Sequence, residues 1–110
     1  METTVNQYDV YWVDLDPVEG SEMAKKRPCV VISPDEMNRF LKTVAIAPLT
    51  SNLKSVQWRV QVFVDGQYGM VALDHIRSVS KTRLSNCLGR LHISEIQQIK
   101  HTIRTIFVDN

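Results

Sequence analysis

Short apolar runs alternate with polar turns along most of this chain, and only its last segment carries a helical period. Tyr8 to Leu15 is aromatic and β-branched and predicts a first strand, which the turn pair Asp16-Pro17 ends. Val18 to Lys26 is a polar loop with Gly20 and Ser21, and Cys29-Val30-Val31-Ile32-Ser33 predicts a second, buried strand. Pro34 followed by Asp35 and Glu36 suits the first turn of a short helix reaching Phe40, because acids there face unpaired backbone donors. Thr43 to Pro48 predicts a third strand, and Leu49 to Ser55 a loop dense in hydroxyl and amide groups. Val56, Trp58, Val60, Val62 and Val64 then recur at a period of two, so a half-buried strand is expected with Trp58 on its core face. Asp65-Gly66 marks a hairpin, with Gln67-Tyr68-Gly69 lengthening the connection before Met70 to Leu73 resumes as a strand. Polar groups interrupt Asp74 to Val79, and Lys81 to Leu84 and Cys87 to Leu91 predict two more short strands, Gly89 marking a bend or bulge. Ser94-Glu95-Ile96-Gln97 fits a capping box, and Ile96, Ile99, Ile103, Ile106 and Phe107 follow at helical spacing. The pattern predicts one mostly β domain over residues 1–110: a small antiparallel β-barrel with short helices, closed by a C-terminal α-helix. Residues 1–7 are polar and unpatterned, and a loose N-terminus is expected.

Composition narrows the function classes. With 110 residues and a net charge of +1, the chain has room for one core and lacks the basic excess that holds nucleic acid by bulk field. Any nucleic-acid site must be local. Cys29 and Cys87 are far apart and form no C-x-x-C pair, and Asp9, Asp14, Asp16 and Asp74 lack a metal-loop spacing, so no metal and no cofactor is expected. Cys29 reads as a small buried hydrophobe. No apolar run reaches membrane-spanning length and no leader pattern opens the chain, which predicts a cytoplasmic protein without membrane association.

Three polar clusters fall at strand ends or in adjoining loops: Ser21 with Arg27, Thr50 with Ser51, and Asp74 with His75 and Arg77. A small barrel could gather them on one face. Arg27 closes the basic triplet Lys25-Lys26-Arg27, and Pro28 restricts the backbone on which it sits. Such a triplet taken alone describes a solvated loop. Together the clusters offer cations, hydroxyl donors, a carboxylate and an imidazole, an inventory suited to a phosphodiester.

The motifs Asp14-Leu15-Asp16-Pro17, Gly20-Ser21-Glu22, Arg27-Pro28 with Val30-Val31-Ile32-Ser33-Pro34, Pro48-Leu49-Thr50-Ser51, and Leu73-Asp74-His75-Ile76-Arg77-Ser78-Val79 resemble, in the same order, those of the MazF/PemK/Kid toxins. The resemblance runs from Tyr8 through the terminal helix. It implies an SH3-like barrel of the CcdB/PemK type, a homodimer, and a metal-independent, sequence-specific endoribonuclease acting on single-stranded RNA, with messenger RNA the expected target. It also implies a cognate antitoxin whose acidic, disordered segment blocks the RNA groove. By position, Arg27 and Thr50 match the catalytic pair, Ser21 and His75 fall where substrate-contacting or assisting groups lie, Asp9 takes an acidic position, and Asp74 and Arg77 belong to the motif lining the active face. Tyr8, Lys25-Lys26 and His75 depart from a commoner glycine, a glycine-containing pair and a glutamine.

Chemically, His75 is the preferred proton-transfer group, since imidazole titrates nearest neutrality, with Asp9 the alternative and a base-reading role for His75 equally open. Lys25 and Lys26, and Ser51, Asn52, Lys54, Ser55 and Gln57 in the loop around and after Thr50, are expected to contact RNA. His92 and His101 read as surface residues. Two rival readings are a CcdB-like gyrase poison without catalysis and an RNA-binding barrel with a dead site.

Overall fold

The computed structural model describes residues 4–110, and among them seven strands form one curled antiparallel sheet. The elements are β1 (Asp9–Asp14), β2 (Lys26–Val31), α1 (Asp35–Phe40), β3 (Thr43–Thr50), β4 (Arg59–Val64), β5 (Gln67–Ala72), β6 (Arg77–Ser80), β7 (Leu84–Arg90) and α2 (Ile93–Ile103). The sheet order is β4-β5-β3-β2-β1-β7, with β6 also pairing β3. β3 is the pivot. Its first half pairs β6 from Thr43 to Ile46, and its last two residues, Leu49 and Thr50, pair β5 instead. Switching partners bends the sheet on itself into a half-barrel, so the expected small antiparallel barrel with a C-terminal helix is what the chain forms.

Both faces of the sheet are buried, because alternate residues feed two cores. Val10, Val30, Ala47, Leu49, Val60, Val62, Val71 and Leu73 pack on one side under α2, whose Ile96 and Ile99 complete that core. Tyr11, Val13, Leu15, Cys29, Val31, Val44, Ile46 and Val79 pack on the other. Ser33 and Asn38 are the buried polar pair, and they satisfy each other: Ser33 Oγ lies 2.5 Å from Asn38 Oδ1, and Asn38 Nδ2 donates to the Ser33 carbonyl at 2.9 Å. The pair joins α1 to β3, since Ser33 Oγ also accepts from the Ala45 N–H.

Several local expectations shift. Asp65 and Gly66, at φ 52° and 78°, make a two-residue turn between Val64 and Gln67, so the hairpin is the tightest type and β5 begins three residues early. β4 begins only at Arg59, because the Arg59 N–H turns back to the Val56 carbonyl. Trp58 is consequently 43% exposed and not a core residue. Lys81–Arg83 is a 3-10 turn, not a strand, and β7 follows it. The bulge near Gly89, at φ 115°, is present: Val10 pairs Gly89 while Tyr11 pairs Cys87.

The capping box lies two residues earlier than Ser94. His92 is the N-cap, its side chain accepting from the Ser94 N–H, and Glu95 Oε1 accepts from the His92 N–H. The other Glu95 oxygen accepts from the Phe63 N–H of edge strand β4 at 2.8 Å. At the other terminus, Val5 is buried and Gln7 is held through its side chain to the Ile32 carbonyl at 2.8 Å, whereas the sequence pattern there predicted loose chain. Residues 1–3 of that segment lie outside the described residues. No helix among the described residues is long and apolar enough to cross a membrane.

Candidate active site

β2 and β3 pair through Cys29 and Pro48, Val30 and Ala47, and Val31 and Ile46. Continued past Cys29 and Pro48, that register sets Arg27 opposite Thr50. Opposed residues of an antiparallel pair project to the same face. Arg27 alternates with Cys29 and Val31 on the side of the second core, whereas Thr50, where β3 turns to β5, lines with Ser51 a hollow of about 230 Å³ against Trp12, Pro28 and Leu49. The positive charges of Arg27 and Arg77 both reach Cys29, whose thiol burial pushes up to about 12 against their opposing effect.

The same side carries a cavity of about 260 Å³ lined by Leu15, Ser21, Glu22, Met23, Pro48, Asp74, His75, Ile76 and Arg77. Leu15 and Pro48 form its sheet wall. The β1–β2 loop contributes Ser21 and Glu22, and the 3-10 turn Leu73–His75 contributes Asp74 and His75. Arg77 donates to the Leu15 carbonyl at 3.2 Å and stands 3.7 Å from Glu22, tying β6 to the end of β1 and to the loop. Arg27 is half-buried and its Nε donates to the Ala24 carbonyl at 3.1 Å, which fixes the guanidinium at the loop's base. The Thr50 hydroxyl oxygen accepts from the Asn52 N–H at 3.2 Å.

Asp74 is held on two sides. Arg59 Nε and Nη2 donate to its two oxygens at 3.2 and 3.1 Å, and His75 Nε2 lies 3.6 Å from Oδ2. Burial alone would raise its carboxyl, but the hydrogen bonds and charge of Arg59, with the Asp74 N–H and His75, hold it below the usual carboxylate value. Arg59 is the site residue that sequence reasoning missed. It occupied the polar half of an alternating strand, and its partner is fifteen residues away, so no local motif links them.

The fold thus brings Ser21, Asp74, His75 and Arg77 to one cavity, with Arg27 near it beside Cys29 and Thr50 in the neighbouring hollow. Ser51, Asn52, Lys54, Ser55 and Gln57 are all exposed on the segment between β3 and β4, which leaves the sheet directly after Thr50. Ser55 and Arg59 also line a groove of about 480 Å³ against Gln97, Gln98 and His101 of α2. Lys25 and Lys26 are not among the residues lining the His75 cavity. The Lys25 N–H is bound by Asp16 Oδ1, and Lys26 lines a different hollow with Asp14, Asp16 and Arg83. Asp9 stands apart as well. It lies four strand residues from Val13, the partner of Arg27, about 14 Å along β1. Its carboxylate sits 3.9 Å from Arg90, and burial, partly offset by the Asn6 hydrogen bond and Arg90, raises its carboxyl.

Residues 6–107 match the family described as PemK-like, MazF-like toxin of type II toxin-antitoxin system. The chain is 31% identical over 106 residues to Endoribonuclease EndoA of Bacillus subtilis, covering 91% of each chain. Among solved structures, MazF of Deinococcus radiodurans superposes with a TM-score of 0.84 at 22% identity, over 96% of this chain and 97% of that one. A mycobacterial endoribonuclease in complex with its cognate antitoxin superposes at 0.78, with 22% identity and 92% of each chain covered.

Proposed function

The chain belongs to the PemK-like, MazF-like toxins of type II toxin-antitoxin systems, and from that premise we propose that it is an endoribonuclease cutting single-stranded RNA. What supports the catalytic assignment is the register that sets Arg27 opposite Thr50 at the ends of β2 and β3, with Arg27 on the side of the Ser21, His75 and Arg77 cavity. A basic fork, a hydroxyl and an imidazole there match the needs of intramolecular phosphodiester cleavage.

In that reaction the RNA 2′-oxygen attacks its own adjacent phosphorus while the bond to the 5′-oxygen breaks, leaving a 2′,3′-cyclic phosphate and a free 5′-hydroxyl. The nucleophile is already attached to the phosphate, so alignment supplies much of the acceleration and no external nucleophile is needed. Arg27 binds two non-bridging oxygens and neutralises the charge that develops on them. Thr50 donates its hydroxyl to the same phosphate. His75 exchanges a proton at the reacting oxygens, and Ser21 and Arg77 hold the flanking backbone. The exposed segment from Ser51 to Gln57 reads the unpaired bases.

The activity implies a toxin that halts translation by cutting messenger RNA in the cytoplasm, works as a homodimer, and is silenced by an antitoxin whose acidic segment competes for the cations RNA would meet. A gyrase-directed poison is not favoured, since the relative at 31% identity is named an endoribonuclease. The direct test is primer-extension mapping of a long RNA incubated with the purified protein in excess chelator. Cuts at one recurring short sequence are expected, and RNA left intact by folded, antitoxin-free protein overturns the reading.

A further inference from the structure

Arg59 is spent on a contact that the cleavage chemistry has not yet used. Its fork meets Asp74 side-on through two hydrogen bonds of 3.2 and 3.1 Å, the arrangement that holds a carboxylate in one orientation. The outer oxygen so fixed, Oδ2, is the one that faces His75 Nε2 at 3.6 Å. The turn beneath has its own anchors: Leu73 is fully buried, and its N–H donates to the Trp58 carbonyl. Arg59 is therefore not needed to seat the turn. What it does control is where the Asp74 carboxylate points and how much of its negative charge the imidazole feels.

We propose that Arg59 is a positioning residue of the cleavage site, which sets the orientation and protonation of His75 by clamping Asp74. The inference rests on the ribonuclease reading for its catalytic consequence, but the coupling itself is a property of the folded chain. The charged groups that line the cavity with His75 are Asp74 beside it, Glu22 from the β1–β2 loop and Arg77 from β6, and Arg59 from β4 reaches it through Asp74. Removing the guanidinium takes away a positive neighbour and frees the carboxylate, and both changes favour imidazolium. Removing the Asp74 charge takes away the ring's negative neighbour and leaves the Arg59 charge unneutralised, which disfavours it.

The test compares the parent chain with Arg59→Gln, Arg59→Lys, Asp74→Asn, His75→Ala and the double variant R59Q/H75A, all checked for a native melt. On a short RNA carrying the mapped cut sequence, R59Q is expected to slow saturated single-turnover cleavage about tenfold with little change in KM, and R59K to recover part of it. The limb of the pH–rate profile that reports His75 should move up in R59Q and down in D74N. R59Q should add nothing on the H75A background. An unmoved limb, or the same slowing with and without His75, overturns the proposal. The His75 ring titration followed by NMR needs no RNA, and midpoints equal in the parent, R59Q and D74N overturn it as well. RNA left intact by the parent overturns the ribonuclease reading and the catalytic part of this one, while opposite midpoint shifts still establish Arg59 as the residue governing His75.

Discussion

Arg27 near the start of β2 and Thr50 at the end of β3 stand opposite each other when the pairing of Cys29 with Pro48 is carried two residues on. Neither side chain carries the core, so their loss should separate activity from stability. Arg27→Ala should reduce cleavage about 100-fold or more, and Thr50→Val about 10- to 100-fold, as expected for groups that stabilise developing charge. Each should cost no more than about 1 kcal/mol of folding stability, the worth of the Arg27–Ala24 or Thr50–Asn52 hydrogen bond. Single-turnover kinetics beside urea denaturation checks both, and a large stability loss would assign the pair to architecture.

The clamp on Asp74 also predicts an acid-sensitive contribution to folding. A carboxyl held below its ordinary 3.8 in the folded chain stabilises fold above that value and loses the contribution as pH falls through the lowered one. The stability gap between the parent and Asp74→Asn should be full at neutral pH and close as the pH drops below the ordinary value. Urea titrations across that range measure it. A gap that widens on acidification would contradict the lowered carboxyl.

Ser33 and Asn38 present the opposite case, a polar pair deep in the fold with no part in the chemistry. Asn38→Ala strips the Ser33 hydroxyl hydrogen of its acceptor and the Ser33 carbonyl of its side-chain donor. A loss of about 2–3 kcal/mol is expected, because buried polar groups left unpaired cost more than the bond itself was worth. Cleavage per folded molecule should be unchanged.

The two cysteines should differ sharply in reactivity. Burial pushes the Cys29 thiol up to about 12, and no solvent reaches it, while Cys87 is exposed. Alkylation at mild alkaline pH should add one group to the native chain and two after unfolding, counted by mass spectrometry. Two rapid additions to native protein would mean that β2 opens readily.

How far the sequence could be read depended on how local each signal was. Alternation and β-branched runs located the strands, and of the motif residues Ser21, Asp74, His75 and Arg77 are brought into one cavity. Trp58 misled because a period-two pattern cannot show that the strand has not begun, which the Arg59–Val56 turn decides. The helix start was misplaced because His92 is not an expected cap, although Glu95 three residues later completes the box. Asp9 lies close in sequence to the first motif, yet an extended strand carries it to the far end of the sheet from Arg27. Arg59 was invisible for the converse reason: its meaning comes only from a partner across a hairpin.

Glu95 gives the fold an intrinsic reporter. One of its oxygens closes the first turn of α2, and the other takes the Phe63 amide on β4, a strand whose outer edge would otherwise stand open. That amide exchanges slowly only while the helix is seated against the barrel. A single backbone proton can therefore be watched in the intact protein to see whether an arriving macromolecule lifts the C-terminal helix or leaves it docked.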